Sequence, residues 1–112
     1  MEFKVEEKEK FKLIYLSGRC DLTDFEKFNS VLQESISGDY KEVLIDCTDF
    51  EYINSSGLKA IIMNAKEFKQ KGGNFSFVNL GTNVEKVFSI TGYTDLFKIF
   101  KTTEEALKYH EK

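Results

Sequence analysis

The sequence has no proline, a single histidine at position 110 and only two cysteines, Cys20 and Cys47. With His110 so near the end of the chain, no serine or cysteine has a nearby base, which excludes a nucleophile–histidine–acid triad. One histidine and two scattered cysteines do not give the ligand spacing of a metal centre, so neither a metal nor a cofactor is expected. The cysteines form no CxxC pair and lie in or beside strand-like apolar segments. They read as small core residues in a reducing compartment, not as a disulfide. Mostly apolar stretches run to about six residues, well short of the roughly 20 that cross a bilayer. The start, Met1-Glu2-Phe3-Lys4-Val5-Glu6, alternates instead of forming a signal-peptide core. A cytoplasmic protein without direct membrane insertion is expected. Sixteen basic against nineteen acidic side chains leave a net charge of −3, so there is no cationic field to favour direct nucleic-acid binding.

What is present suits one domain spanning residues 1–112: 41% hydrophobic and 14% aromatic residues can build a core. No linker, internal repeat or low-complexity stretch interrupts the chain. Phe3 and Val5 alternate with charged residues, and Phe11, Leu13 and Tyr15 alternate in a second segment ending near Ser17-Gly18, which predicts a hairpin around Glu7 to Lys10. Thr23-x-x-Glu26 has capping-box spacing and opens a helix through Phe25, Phe28, Val31, Leu32 and Ile36 to Gly38. Val43 to Cys47 reads as a central strand. Leu58, Ile61, Ile62, Ala65 and Phe68 form the stripe of a second helix that begins near Ser55 or Ser56 and stops at Gly72-Gly73. Phe75 to Val78 follows as a strand. Thr82-x-x-Glu85 opens a helix ending before Gly92, Leu96 to Phe100 gives another strand, and Thr102-x-x-Glu105 starts a last helix. Two strands followed by alternating helices and strands predict an α/β fold with parallel crossovers and an antiparallel N-terminal strand.

Function in such a sheet belongs at the C-terminal ends of the strands. Gly72-Gly73 closes a helix, so it is no phosphate loop, and no Walker or GxGxxG sequence follows a strand. Asp21, Asp46 and Asp49 lie near strand ends, but they lack the recognisable constellation of a phosphoacceptor site and read as surface or turn-capping residues. Lys66, Lys69 and Lys71 suit a helix C-terminus. The segment Asp49 to Leu58 stands apart, with its Asn54-Ser55-Ser56-Gly57 step placed between a loop after the central strand and an apolar helix. Capping explains one such residue. Two adjacent serines exceed that need, and Gly57 inside a first turn permits close approach of another group.

On these residues the chain resembles the STAS-domain family of bacterial anti-sigma factor antagonists. The likeness covers nearly the whole chain: Leu16 to Asp21, Val43 to Cys47, Asp49 to Leu58, Gly72-Gly73, Val84 to Phe88, Gly92 and Leu96 to Ile99. It implies a mixed sheet of about five strands with about four helices packed largely on one side. It also implies a non-enzymatic regulator in which Ser56, the second hydroxyl of the family's Asp-Ser-Ser/Thr-Gly sequence, is phosphorylated by an anti-sigma factor serine kinase and reset by a serine phosphatase. Partner binding is implied for Asp21, Asn54, Ser55, Ser56 and Gly57. Two positions depart from the pattern: Asn54 stands where many members carry Asp, and Arg19-Cys20 replaces an acidic or apolar pair. A constitutive scaffold or accessory subunit of a transporter or stress-signalling complex is the alternative, and a small hydrolase using Ser55 or Ser56 is a third.

Overall fold

The computed structural model describes residues 1–91 and 96–110. Alternation of apolar and charged residues lays down β1 (Glu2–Glu7) and β2 (Lys12–Cys20), paired antiparallel through a turn in which the Lys8 N–H donates to the Phe11 carbonyl at 2.9 Å. A 3₁₀ turn (Leu22–Asp24) leads into α1 (Phe25–Ser37), followed by β3 (Glu42–Ile53), α2 (Ser55–Gln70), β4 (Asn74–Val78), α3 (Thr82–Thr91), β5 (Phe97–Phe100) and α4 (Thr103–His110). The strands lie in one sheet in the order β1-β2-β3-β4-β5, with every pairing after the first parallel. β3 is the central strand, as its unbroken Val43-Leu44-Ile45 run predicts.

Side chains alternate across a strand, so each face of the sheet has its own apolar set. Ile14, Leu16, Val43, Ile45, Phe75 and Phe77 turn towards α1, α2 and α3 and form the main core with Phe28, Leu32, Ile61 and Phe68. Phe77 sits among edge-on and tilted rings, its centroid 5.1 Å from those of both Phe88 and Phe97. Leu13, Leu44 and Val78 turn the other way and are covered by Ala106 and Leu107 of α4. Three helices therefore share one face and the fourth shields the other.

Several boundaries differ from expectation. β2 does not end at Ser17-Gly18; it continues to Cys20 because Gly18 takes φ 85, a conformation open to glycine, where the register against β3 shifts. β3 does not give way to a loop after Cys47; it runs on to Ile53, with Phe50 and Ile53 turned inward and Asp49, Glu51 and Tyr52 outward. Thr23 caps nothing: the chain turns two residues earlier, with Asp21 at the N-cap, and the Asp24 carboxylate accepts the Asp21 N–H at 2.8 Å. Thr82 is the first residue of α3, and the Glu85 N–H bonds to the Gly81 carbonyl. At α4 the cap holds, since Thr102 Oγ1 accepts from the Glu105 N–H at 3.2 Å. The expected helix stop at Gly92 lies outside the described residues.

Candidate functional site

The Asn54-Ser55-Ser56-Gly57 step lies where β3 passes into α2 without an intervening loop. Asn54 has extended dihedrals, φ −88 and ψ 177, and serves as the N-cap of α2. Its Oδ1 accepts from the Gly57 N–H at 2.9 Å and its carbonyl from the Leu58 N–H at 3.0 Å, while its own N–H donates to the Cys20 carbonyl at 3.1 Å. One side chain thus caps the helix and ties it to the end of β2. The serines are not needed for this. Ser55 is exposed, Ser56 is half-buried, and among the described residues neither hydroxyl is engaged in a hydrogen bond.

Gly57 is buried, and its place is dictated by its neighbours. A Cβ there would lie 2.6 Å from Cys20 Sγ and 2.9 Å from Ile53 Cγ1, closer than packed atoms approach. Only a residue without a side chain lets α2 begin on top of these two strand ends. Cys20 and Ile53 are themselves register partners. Burial, followed by the charges of Asp24 and Asp21, pushes the Cys20 thiol up to about 11, so it is a protonated packing group at neutral pH. Burial, followed by Asp46, also raises the Cys47 thiol. Both cysteines are free and buried.

The parallel pairing of β2 with β3 brings Asp21 beside the α2 start although 33 residues separate it from Asn54. Asp21, Asn54 and Ser55 line one depression of about 410 Å³ together with Leu22, Thr23 and Tyr52. Ser56 does not line it. Asp46 and Asp49 line a different groove, against β1 and β2, so the three aspartates do not converge. Within β3, Asp46 Oδ1 accepts from the Thr48 N–H at 2.9 Å and the Thr48 hydroxyl at 2.6 Å, and it also accepts from Asn79 Nδ2 at 3.4 Å, so it caps no turn. No cluster of three or more metal-ligating side chains occurs among the described residues.

The sequence profile of the STAS domain matches residues 2–106. The chain belongs to the STAS domain family. A STAS relative, the TM1081 homolog of Thermotoga neapolitana, carries the name of an anti-sigma factor antagonist and is 35% identical over 78 residues, 70% of this chain and 69% of its own. TM1081 of Thermotoga maritima superposes with a TM-score of 0.88 at 23% identity, covering 98% of this chain and 95% of its own. The Bacillus cell fate determinant SpoIIAA in its phosphorylated form gives a TM-score of 0.74 at 21% identity, with 96% and 98% of the two chains covered. Leu22, and Tyr52 within the Asp49 to Leu58 segment, were not named as site residues in the sequence, and they line this depression only through the fold. An apolar residue inside Asp21-Leu22-Thr23-Asp24 was the available signal.

Proposed function

We propose that this STAS domain is a cytoplasmic, non-enzymatic anti-sigma factor antagonist that acts by partner switching. Unphosphorylated, it binds an anti-sigma factor serine kinase and frees the sigma factor; phosphorylated on Ser56, it lets the kinase go until a serine phosphatase restores it. The supporting observation is that Asn54 alone caps α2, leaving the adjacent serine hydroxyls unused at the mouth of a helix of 16 residues.

Physical chemistry separates the two effects of a phosphate there. The group adds roughly −1.5 to −2 charges, and the free N–H groups and dipole of a helix N-terminus favour it by about 0.3–1 kcal/mol. The fold therefore tolerates modification. A partner packed over the same turn meets a desolvated dianion, and an unpaired charge buried at an interface costs about 2–5 kcal/mol, thirtyfold or more in affinity. The carboxylate of Asp21, exposed beside this turn, adds to the repulsion.

The test is incubation with ATP and each purified anti-sigma factor serine kinase of the host. A phosphopeptide carrying phospho-Ser56 is expected, abolished by Ser56→Ala, with kinase binding weakened by Ser56→Asp. Phosphorylation surviving on Ser55 in Ser56→Ala moves the acceptor by one residue. Stable capture of a transporter with no phosphorylation replaces the switch with an accessory role.

A further inference from the structure

β1 forms one edge of the sheet, and among the described residues no strand pairs with its outer side. Exposed edges are commonly blunted by a bulge, a proline or charge of one sign. β1 has none of these: its register against β2 is unbroken from Glu2 to Glu7, and Val5 at its middle is 46% exposed. The Lys8 N–H bond to the Phe11 carbonyl continues that register and fixes the phase of the backbone. Even-numbered residues of β1 therefore turn their N–H and C=O groups to β2, while Phe3, Val5 and Glu7 turn theirs outward.

The side chains of the even-numbered residues share the face opposite Phe3, and there their charges alternate in sign: Glu2, Lys4, Glu6, Lys8. Glu6 lies 3.5 Å from Lys4 and 3.1 Å from Lys8, so all three stand on that one face. Such a row, read backwards, presents every charge with its opposite.

We propose that β1 is a self-association edge, pairing antiparallel with β1 of a second copy of this chain about a two-fold axis at Val5. In this register Lys4 faces the second copy's Glu6, Glu2 faces its Lys8, and the two Val5 side chains meet. Val5 exchanges backbone bonds with its counterpart, and Phe3 with the second copy's Glu7, so the outward N–H and C=O groups are satisfied. Lys4 and Glu6 then form the non-hydrogen-bonded pairs, in which facing side chains lie closest. Neighbouring registers fail. Centring on Lys4 or Glu6 turns the wrong backbone groups to the contact and opposes like charges, centring on Glu7 opposes it to itself, and centring on Phe3 shortens the overlap. The two five-stranded sheets thus join into one continuous sheet.

Sedimentation of the full chain over a concentration series should show a monomer–dimer equilibrium. Lys4→Glu or Glu6→Lys alone sets like charges opposite one another on both sides of the axis, and each should weaken association about tenfold or more. An equimolar mixture of the two variants should restore it, because every position again meets its opposite, and so should the double variant. Circular dichroism of each variant should match the parent, which separates lost pairing from lost folding. In the parent, hydrogen exchange at the Phe3, Val5 and Glu7 amides should slow as concentration rises. A parent that stays monomeric throughout the series overturns the proposal. A dimer indifferent to both charge reversals, or folded variants whose mixture stays monomeric, overturns it as well. Should a variant lose the parent's spectrum, the parent's amides decide: exchange at Phe3, Val5 and Glu7 that does not depend on concentration rejects β1 as the contact.

Discussion

Gly57 and Asn54 share the first turn of α2 and solve different problems at adjacent atoms. Asn54 supplies the acceptor that a helix start requires, so its departure from the acidic residue common in the family keeps the cap while omitting a charge. Gly57 supplies space. A methyl group at 57 has to displace Cys20 Sγ or Ile53, and overpacking of this kind costs about 1–3 kcal/mol. Gly57→Ala should therefore lower the urea midpoint without changing the slope of the transition. The penalty should shrink in a Cys20→Ala background, because the nearer obstacle at 2.6 Å is gone. Equal penalties in both backgrounds would show that the strain lies elsewhere.

At the scale of elements, α1 and α2 are held in register by a buried polar network. Asn64, 1% exposed, accepts from Gln33 Nε2 at 2.8 Å and donates to Asn29 Oδ1 at 2.9 Å and to the Ala60 carbonyl at 2.7 Å. Asn64→Ala removes all three hydrogen bonds and leaves the half-buried Asn29 Oδ1 without its partner, at about 1–3 kcal/mol, whereas Gln33→Ala, at an exposed side chain, should cost less. Denaturant titration of both variants checks the order. The elements themselves could largely be read in the sequence, because each helix carries a 3.6-residue apolar stripe and the central strand an unbroken apolar run. The ends of β2 and β3 could not. There the outward-facing residues are mostly polar and only Cys20, Phe50 and Ile53 mark the inward face, so the last stretches of strand imitate a loop. The Thr23 and Thr82 spacings matched a cap that the chain places elsewhere, since a motif of two residues does not say which turn its helix enters. The serine step was visible, but the depression beside it was not, because it exists only once β2 and β3 align Cys20 with Ile53.

At the scale of the molecule, the two thiols link folding to alkaline pH. A thiol whose folded value is raised stays neutral in the native state while the unfolded chain ionises near 9, so its contribution to stability is complete below that pH. It is lost as pH rises through the folded value of about 11 for Cys20. Thermal unfolding between pH 8 and 11 should show falling stability, with a shallower slope for Cys20→Ala. A slope unchanged by the substitution would assign the effect to other groups. The sheet itself is covered by three helices on one face and one on the other, and its strand ends gather the serine turn, Asp21 and the exposed Leu22.

The most direct measurement is the affinity of the purified kinase for the protein before and after stoichiometric phosphorylation of Ser56, taken with the circular dichroism and melting temperature of both forms. Affinity should fall about thirtyfold or more with spectrum and melting temperature essentially unchanged. Equal affinity in the two forms, or loss of binding that tracks loss of structure, would contradict a switch built on charge at an intact helix start.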